Sequence, residues 1–166
     1  MSEVDTFRID FEEEMLPTRA VIGRVPSEHA DWKPHPKSFA AGHLAQLVSW
    51  IPGWVTNIAS ASRLDLMSAP KYSFEKTETL LTGFDQNVRD ARAALLALAD
   101  ERLDDDWSLM AGEKVLFTNK RGPALRQTLR HLVHHRAQLT VYLRLLDVPV
   151  PCTYGPTADD RGNFGI

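Results

Sequence analysis

Four stretches of this chain carry apolar residues at three- and four-residue spacing, and a chain with four such stripes has few ways to bury them. The clearest is residues 77–103. There Leu81, Phe84, Val88, Ala91, Leu95 and Leu98 share one face, with Asp85, Asn87, Arg89, Asp90 and Arg92 on the other. Residues 6–25 repeat the pattern through Phe7, Phe11, Met15, Ile22 and Val25, with Pro17 predicting a bend or a split. Residues 39–61 follow a Pro-rich loop at 26–37, with Ser38 as N-cap and a kink expected at Pro52–Gly53. The fourth, residues 123–146, opens at Pro123 and buries Leu132, Leu139, Leu143 and Leu146. Four amphipathic helices predict an all-α four-helix bundle. Its long connection between helices three and four holds one short extended run, residues 114–118, and no strong strand pattern. A connection of that length lets neighbouring helices run parallel.

The chain of 166 residues is expected to form a single domain over 1–166, with enough surface to bury for a core that needs no staples. One cysteine excludes an internal disulfide. Lys and Arg total 19 against 22 Asp and Glu, for a net charge of -3. That balance lacks the basic footprint of a nucleic-acid binder. No run approaches the ~20 apolar residues that span a bilayer, and the acidic N-terminus is unlike a signal peptide. The expected setting is the cytoplasm, with no membrane partner.

Six histidines are the feature a functional reading must place. His131 and His135 lie one turn apart in RHLVHHRAQL, only ~40° apart around the helix, and project together. An i, i+4 pair of imidazoles is a chelating geometry for a metal. His134 points away, to the edge or surface. His43 has Leu47, Trp50 and Trp54 on its own face, so it is directed inward, where an unpartnered imidazole is costly. A histidine from helix two and a pair from helix four make a three-histidine site with an open position for water or substrate. The alternative is that these are interior histidines hydrogen-bonded to neighbours. His29 and His35 sit in the polar Pro-rich loop and read as exposed.

Three passages carry a resemblance: DWKPHPKSF before helix two, HLVHHRAQLTVYLRLLDVPVP in helix four, and YGPTADD in the tail. The chain resembles the DinB family of DinB/YfiT-like proteins over nearly its whole length. The helix-four passage is similar to that family's H-x-x-H-H-R-G-Q signature, with Ala137 where Gly is usual. The resemblance implies a four-helix bundle, often a homodimer, holding a divalent metal through three histidines, two of them matching His131 and His135. The family's helix-two ligand follows a pattern like L-A-x-H, whereas L-A-Q-L here puts Leu47 at that place. Either His43, one turn earlier on the same face, substitutes as ligand, or a ligand has been lost.

Three function classes follow. The first is a metal-dependent protein in which His43, His131 and His135 hold zinc, nickel or a similar ion. It would act on a small-molecule substrate or a low-molecular-weight thiol as a transferase or hydrolase. The second is a non-catalytic dimeric bundle, a binding or scaffold protein with a vestigial site. The third is a ligand-binding bundle in which Trp32, Trp50, Trp54 and Trp107 line an interior pocket, although at helical spacing Trp50 and Trp54 read rather as core or dimer interface. No nucleophile elbow, P-loop or dinucleotide fingerprint is present. Cys152 reads as a plain tail cysteine, and Asp104–Asp106 as solvated carboxylates.

Overall fold

The computed structural model describes residues 1–73 and 75–162. Four long helices are present: α1 (Glu3–Ile22), α2 (Ala41–Ser60), α3 (Thr77–Ala97) and α4 (Arg121–Leu145). Helix α2 packs along both α3 and α4, while α1 closes the far side against α3 and α4 and touches α2 lightly. The sequential neighbours α1 and α2 are therefore not the principal packing pair. The predicted stripes meet in one core. Phe7, Phe11 and Met15 face Phe84, Val88 and Leu95, with Leu132, Leu139 and Leu143 all buried beside them.

The all-α expectation is corrected by three strands that form a mixed sheet in the order β1–β2–β3. They are β1 (Arg63–Asp65), β2 (Asp106–Ala111) and β3 (Lys114–Lys120). Strand β1 pairs parallel with β2, and β2 pairs antiparallel with β3. The architecture is a four-helix bundle capped by a small sheet, most of which lies in the long α3–α4 connection. A register shift at Leu109/Met110 explains why the pattern is hidden in the sequence. The extra residue makes Val115, Leu116 and Phe117 run consecutively and breaks strict alternation. The β2–β3 turn needs Gly112, whose φ is 60°.

Neither helical proline splits its helix. Pro17 lies within an unbroken α1. In α2, Pro52 lies beside Gly53, and Asn87 of α3 donates its side-chain amide to the Ser49 carbonyl at 2.9 Å. Ser38 is not the cap of α2; the N-cap is Ala40, which has no side chain to offer. The helix N-terminus is instead met by the preceding loop. The amides of Ala41 and Gly42 donate to the Trp32 and Ala30 carbonyls at 2.9 and 2.8 Å. Helix α3 ends at Ala97 rather than continuing to 103; a 3₁₀ turn over Asp100–Asp104 follows. Asp100 returns to α1 and accepts from the Glu3 and Val4 amides.

Arg121, the first residue of α4, is fully buried. Its guanidinium donates to the Ile58 and Ala61 carbonyls at the end of α2 and to the Arg102 carbonyl. One side chain thus satisfies carbonyls that the end of α2 leaves open and pins α4 beside it. This fixes the seam on which the histidines lie.

Candidate metal site and adjoining cavity

His131 and His135 converge as their spacing predicts, with ring centroids 4.5 Å apart. Both are half-buried, and His134 is exposed beside them, its ring 4.9 Å from that of His135. Burial pushes the His131 imidazole below its ordinary pKa, and the neighbouring His135 and His134 add to the effect. Burial also lowers His135, opposed by its hydrogen bond to Gln138. That contact joins His135 Nδ1 and Gln138 Oε1 at 2.7 Å. With an amide oxygen facing it, Nδ1 carries the proton and Nε2 keeps its lone pair.

His43 occupies a different setting. Its ring lies 4.4 Å from that of Phe39 and 3.5 Å from that of Tyr72, and Tyr72 stacks on Trp50 at 4.8 Å. Phe39 is in turn 6.3 Å from His135, and His131 meets Trp54 edge-on at 5.4 Å. The seven rings form a continuous series from Trp54 through the histidine pair and Phe39 to His43, Tyr72 and Trp50. Both tryptophans stand on α2, one turn apart. Burial lowers the His43 pKa too, helped by Lys33.

The structure therefore brings His131 and His135 together and places His43 on the same side of the bundle, inside an aromatic stack. Among the described residues, no three His, Cys, Asp or Glu side chains are gathered closely enough to hold an ion. The donor chemistry of the α4 pair fits a divalent metal: two adjacent imidazoles, held neutral, one with its tautomer set by Gln138. The three-histidine set is not assembled. Leu47 is buried in the core, 5% exposed.

Beside His131 lies an apolar cavity of about 300 Å³ between α2, α4 and the inner face of the sheet. Alternation along β2 turns Trp107 and Leu109 inward, the register partners of Leu109 bring Leu64 and Phe117 alongside, and Trp54 completes the wall. Trp107 is anchored by its Nε1–H donating to Asn57 Oδ1 at 3.1 Å. A wider cleft of about 830 Å³ shares Trp54, Leu64 and Leu66 with it and reaches Trp50 and Tyr72. Trp54 packs against the core and also lines both pockets, while Trp50 lines the wider cleft. The sheet-borne lining was hidden from the sequence because the sheet was. Gln138 had a signal, its i+3 spacing from His135.

Comparison with known families matches residues 10–161 to the DinB family model. The chain belongs to the DinB family. Two solved structures share the fold. A DinB-like protein from Bacillus cereus is 18% identical with a TM-score of 0.70, covering 90% of this chain and 97% of its own. A DinB-like protein from Bacillus subtilis is 17% identical with a TM-score of 0.66, covering 95% and 99%. No curated protein matches the chain. No helix among the described residues is long and apolar enough to cross a membrane.

Proposed function

We propose that this DinB-family chain is a metal-dependent protein acting on a small molecule. His131 and His135 would anchor a divalent ion of the zinc or nickel type, and His43 would be the third donor. The observation that carries the reading is the convergence of the α4 pair at 4.5 Å, with His131 on the wall of an apolar cavity. Such an ion lowers the pKa of a bound thiol or water, so the chemistry it supplies is thiol transfer or hydrolysis. The chain's own residues do the rest. Gln138 orients His135, Trp54 packs against His131, and the apolar cavity opens beside His131. A homodimer, expected from the resemblance, is part of this reading and is tested by light scattering.

One observation favours a second reading. His43 is stacked between Phe39 and Tyr72, and Leu47 occupies the core where the family pattern places a histidine. A bundle so built is a non-catalytic binding or scaffold protein.

Zinc titration of tag-free protein, followed by calorimetry, separates these. Stoichiometric uptake lost in both His131→Ala and His43→Ala supports the three-donor site. Uptake lost only in His131→Ala reduces it to the α4 pair. No uptake by the folded wild type overturns the metal reading and leaves the scaffold.

A further inference from the structure

We propose that the cavity beneath the sheet is a binding site for a neutral, flat, one- or two-ring molecule carrying a single hydrogen-bonding group. The inference goes beyond the metal reading and does not depend on it.

Three observations carry it. First, the walls are made from both layers of the fold. Trp54 comes from α2, and Leu64, Trp107, Leu109 and Phe117 come from the three strands. The Trp107 and Phe117 rings stand 6.2 Å apart and tilted, so two aromatic faces border the space. Second, a volume of about 300 Å³ lies at the small end of ligand cavities, suited to one compact ring system. Third, apart from the indole N–H groups of Trp54 and Trp107, the latter held by Asn57, the polar groups in the lining stand on one helix. Thr128 and His131 lie one turn apart on α4, with Gln127 at the rim.

Thr128 decides the argument. It is only 8% exposed, lines the cavity, and its hydroxyl makes no hydrogen bond among the described residues. Thr18 and Thr82 satisfy theirs on the preceding turn, at the Glu14 and Glu78 carbonyls, whereas Thr56 of α2 is also left without a partner among the described residues. Without a partner among the described residues and not sealed from solvent, the Thr128 hydroxyl is open to a hydrogen bond from a molecule seated in the cavity. No Asp, Glu, Lys or Arg lines the cavity. A charged ligand would lose its hydration with nothing to replace it, so the ligand is neutral.

The occupant's shape follows. Its rings lie between Trp54, Trp107 and Phe117, and its polar group points to α4, within reach of Thr128 and His131. His131 thus stands on the wall of this cavity while its ring also faces His135. A ligand seated there lies beside the histidine pair.

The test is calorimetric titration in the presence of a chelator, so that loss of the metal reading leaves this one standing. The probes are 2-naphthol, naphthalene and 2-naphthoate. Saturable binding of 2-naphthol is expected, about tenfold tighter than naphthalene for one added hydrogen bond. No binding of 2-naphthoate is expected. Thr128→Val should bring 2-naphthol down to the affinity of naphthalene. Ala124→Leu, which places a larger side chain in the lining, should abolish both. If Ala124→Leu fails to fold, Leu109→Phe on the sheet fills the same space from the other side. Absence of saturable 2-naphthol binding to folded wild type overturns the proposal. So does 2-naphthoate binding as well as 2-naphthol, or affinity unchanged in both Thr128→Val and the filling variant.

Discussion

Arg136 of α4 and Glu14 of α1 form an ion pair at 2.6 Å, their side chains only 3% and 14% exposed. The same guanidinium donates to Thr18 Oγ1 at 3.0 Å, and Tyr154 from the tail donates its hydroxyl to Glu14 Oε1 at 2.6 Å. Arg136 also lies 5.0 Å from the Tyr154 ring centroid. Arg136 directly follows His135 in sequence but points to the other side of α4. The histidine side serves the candidate site, and the arginine side locks α4 to α1 and the tail.

Breaking this pair on one side should be expensive. Arg136→Met leaves the Glu14 charge buried without its partner, a change expected to cost about 3–5 kcal/mol. The double variant Arg136→Met/Glu14→Leu removes both charges and should recover much of that loss. Urea unfolding of the two variants checks this. A single substitution that costs under ~1 kcal/mol would show that the pair is solvated and unimportant.

How much of this was legible in the sequence depends on the range of the interaction. The core stripes of α1, α3 and α4 were readable because helical periodicity is local, and Phe11, Phe84 and Leu132 are buried as the spacing requires. The i, i+4 approach of His131 and His135 was readable for the same reason. The sheet was not, because β1 meets β2 across the whole of α3 in sequence and the shift at Leu109/Met110 disrupts the alternation. The surroundings of His43 were only half readable. Its face of α2 was evident from Leu47 and Trp54, but Tyr72, which covers it, arrives from a loop whose path no local pattern dictates. The pairing of Arg136 with Glu14 spans most of the chain and leaves no periodic trace.

The start of α2 depends on a close approach. A Cβ added at Gly42 would lie 2.8 Å from Ala30 Cβ and 3.0 Å from the Ala30 carbonyl oxygen. Gly42→Ala should therefore push the 26–40 loop away from α2 and lengthen the bonds from Ala41 and Gly42 to Trp32 and Ala30. Overpacking of this kind costs about 1–3 kcal/mol. Thermal unfolding reads the loss, and faster hydrogen exchange at the Gly42 amide position locates it. Unchanged stability would mean that the loop yields freely.

The tail should loosen in acid. Asp159 is held below the usual carboxylate range by its hydrogen bond to Arg144 and by the Val150 amide, and Asp160 by the Cys152 and Gly162 amides. The folded state thus binds fewer protons than the unfolded tail. Their stabilisation is complete above the ordinary carboxylate pKa of ~4 and is lost as pH falls through it toward the lower folded values. Hydrogen-exchange protection of the Val150 and Cys152 amides should fall across that window. Asp159→Asn/Asp160→Asn should weaken it at neutral pH as well. Protection that stays level down to pH ~2 would refute this hold of Asp159 and Asp160 on the tail.

Leu47 offers a direct trial of whether α2 can present a donor to the His131–His135 pair. It is a core residue on α2, one turn beyond His43 on the same face, at the place where the family pattern carries a histidine. Leu47→His exchanges buried hydrocarbon for an imidazole. In chelator it should lose about 2–4 kcal/mol of stability, from lost packing and from desolvating a polar ring. If position 47 faces the His131–His135 pair closely enough, the new side chain supplies a further donor from α2 beside the pair. An ion bound only by the folded state stabilises in proportion to its occupancy, about 2.7 kcal/mol at a hundredfold excess over Kd. Zinc should then raise the Tm of Leu47→His well beyond its effect on the wild type, and His131→Ala in the same background should abolish the gain. Equal zinc shifts in Leu47→His and wild type would show that α2 no longer presents this position to the α4 pair.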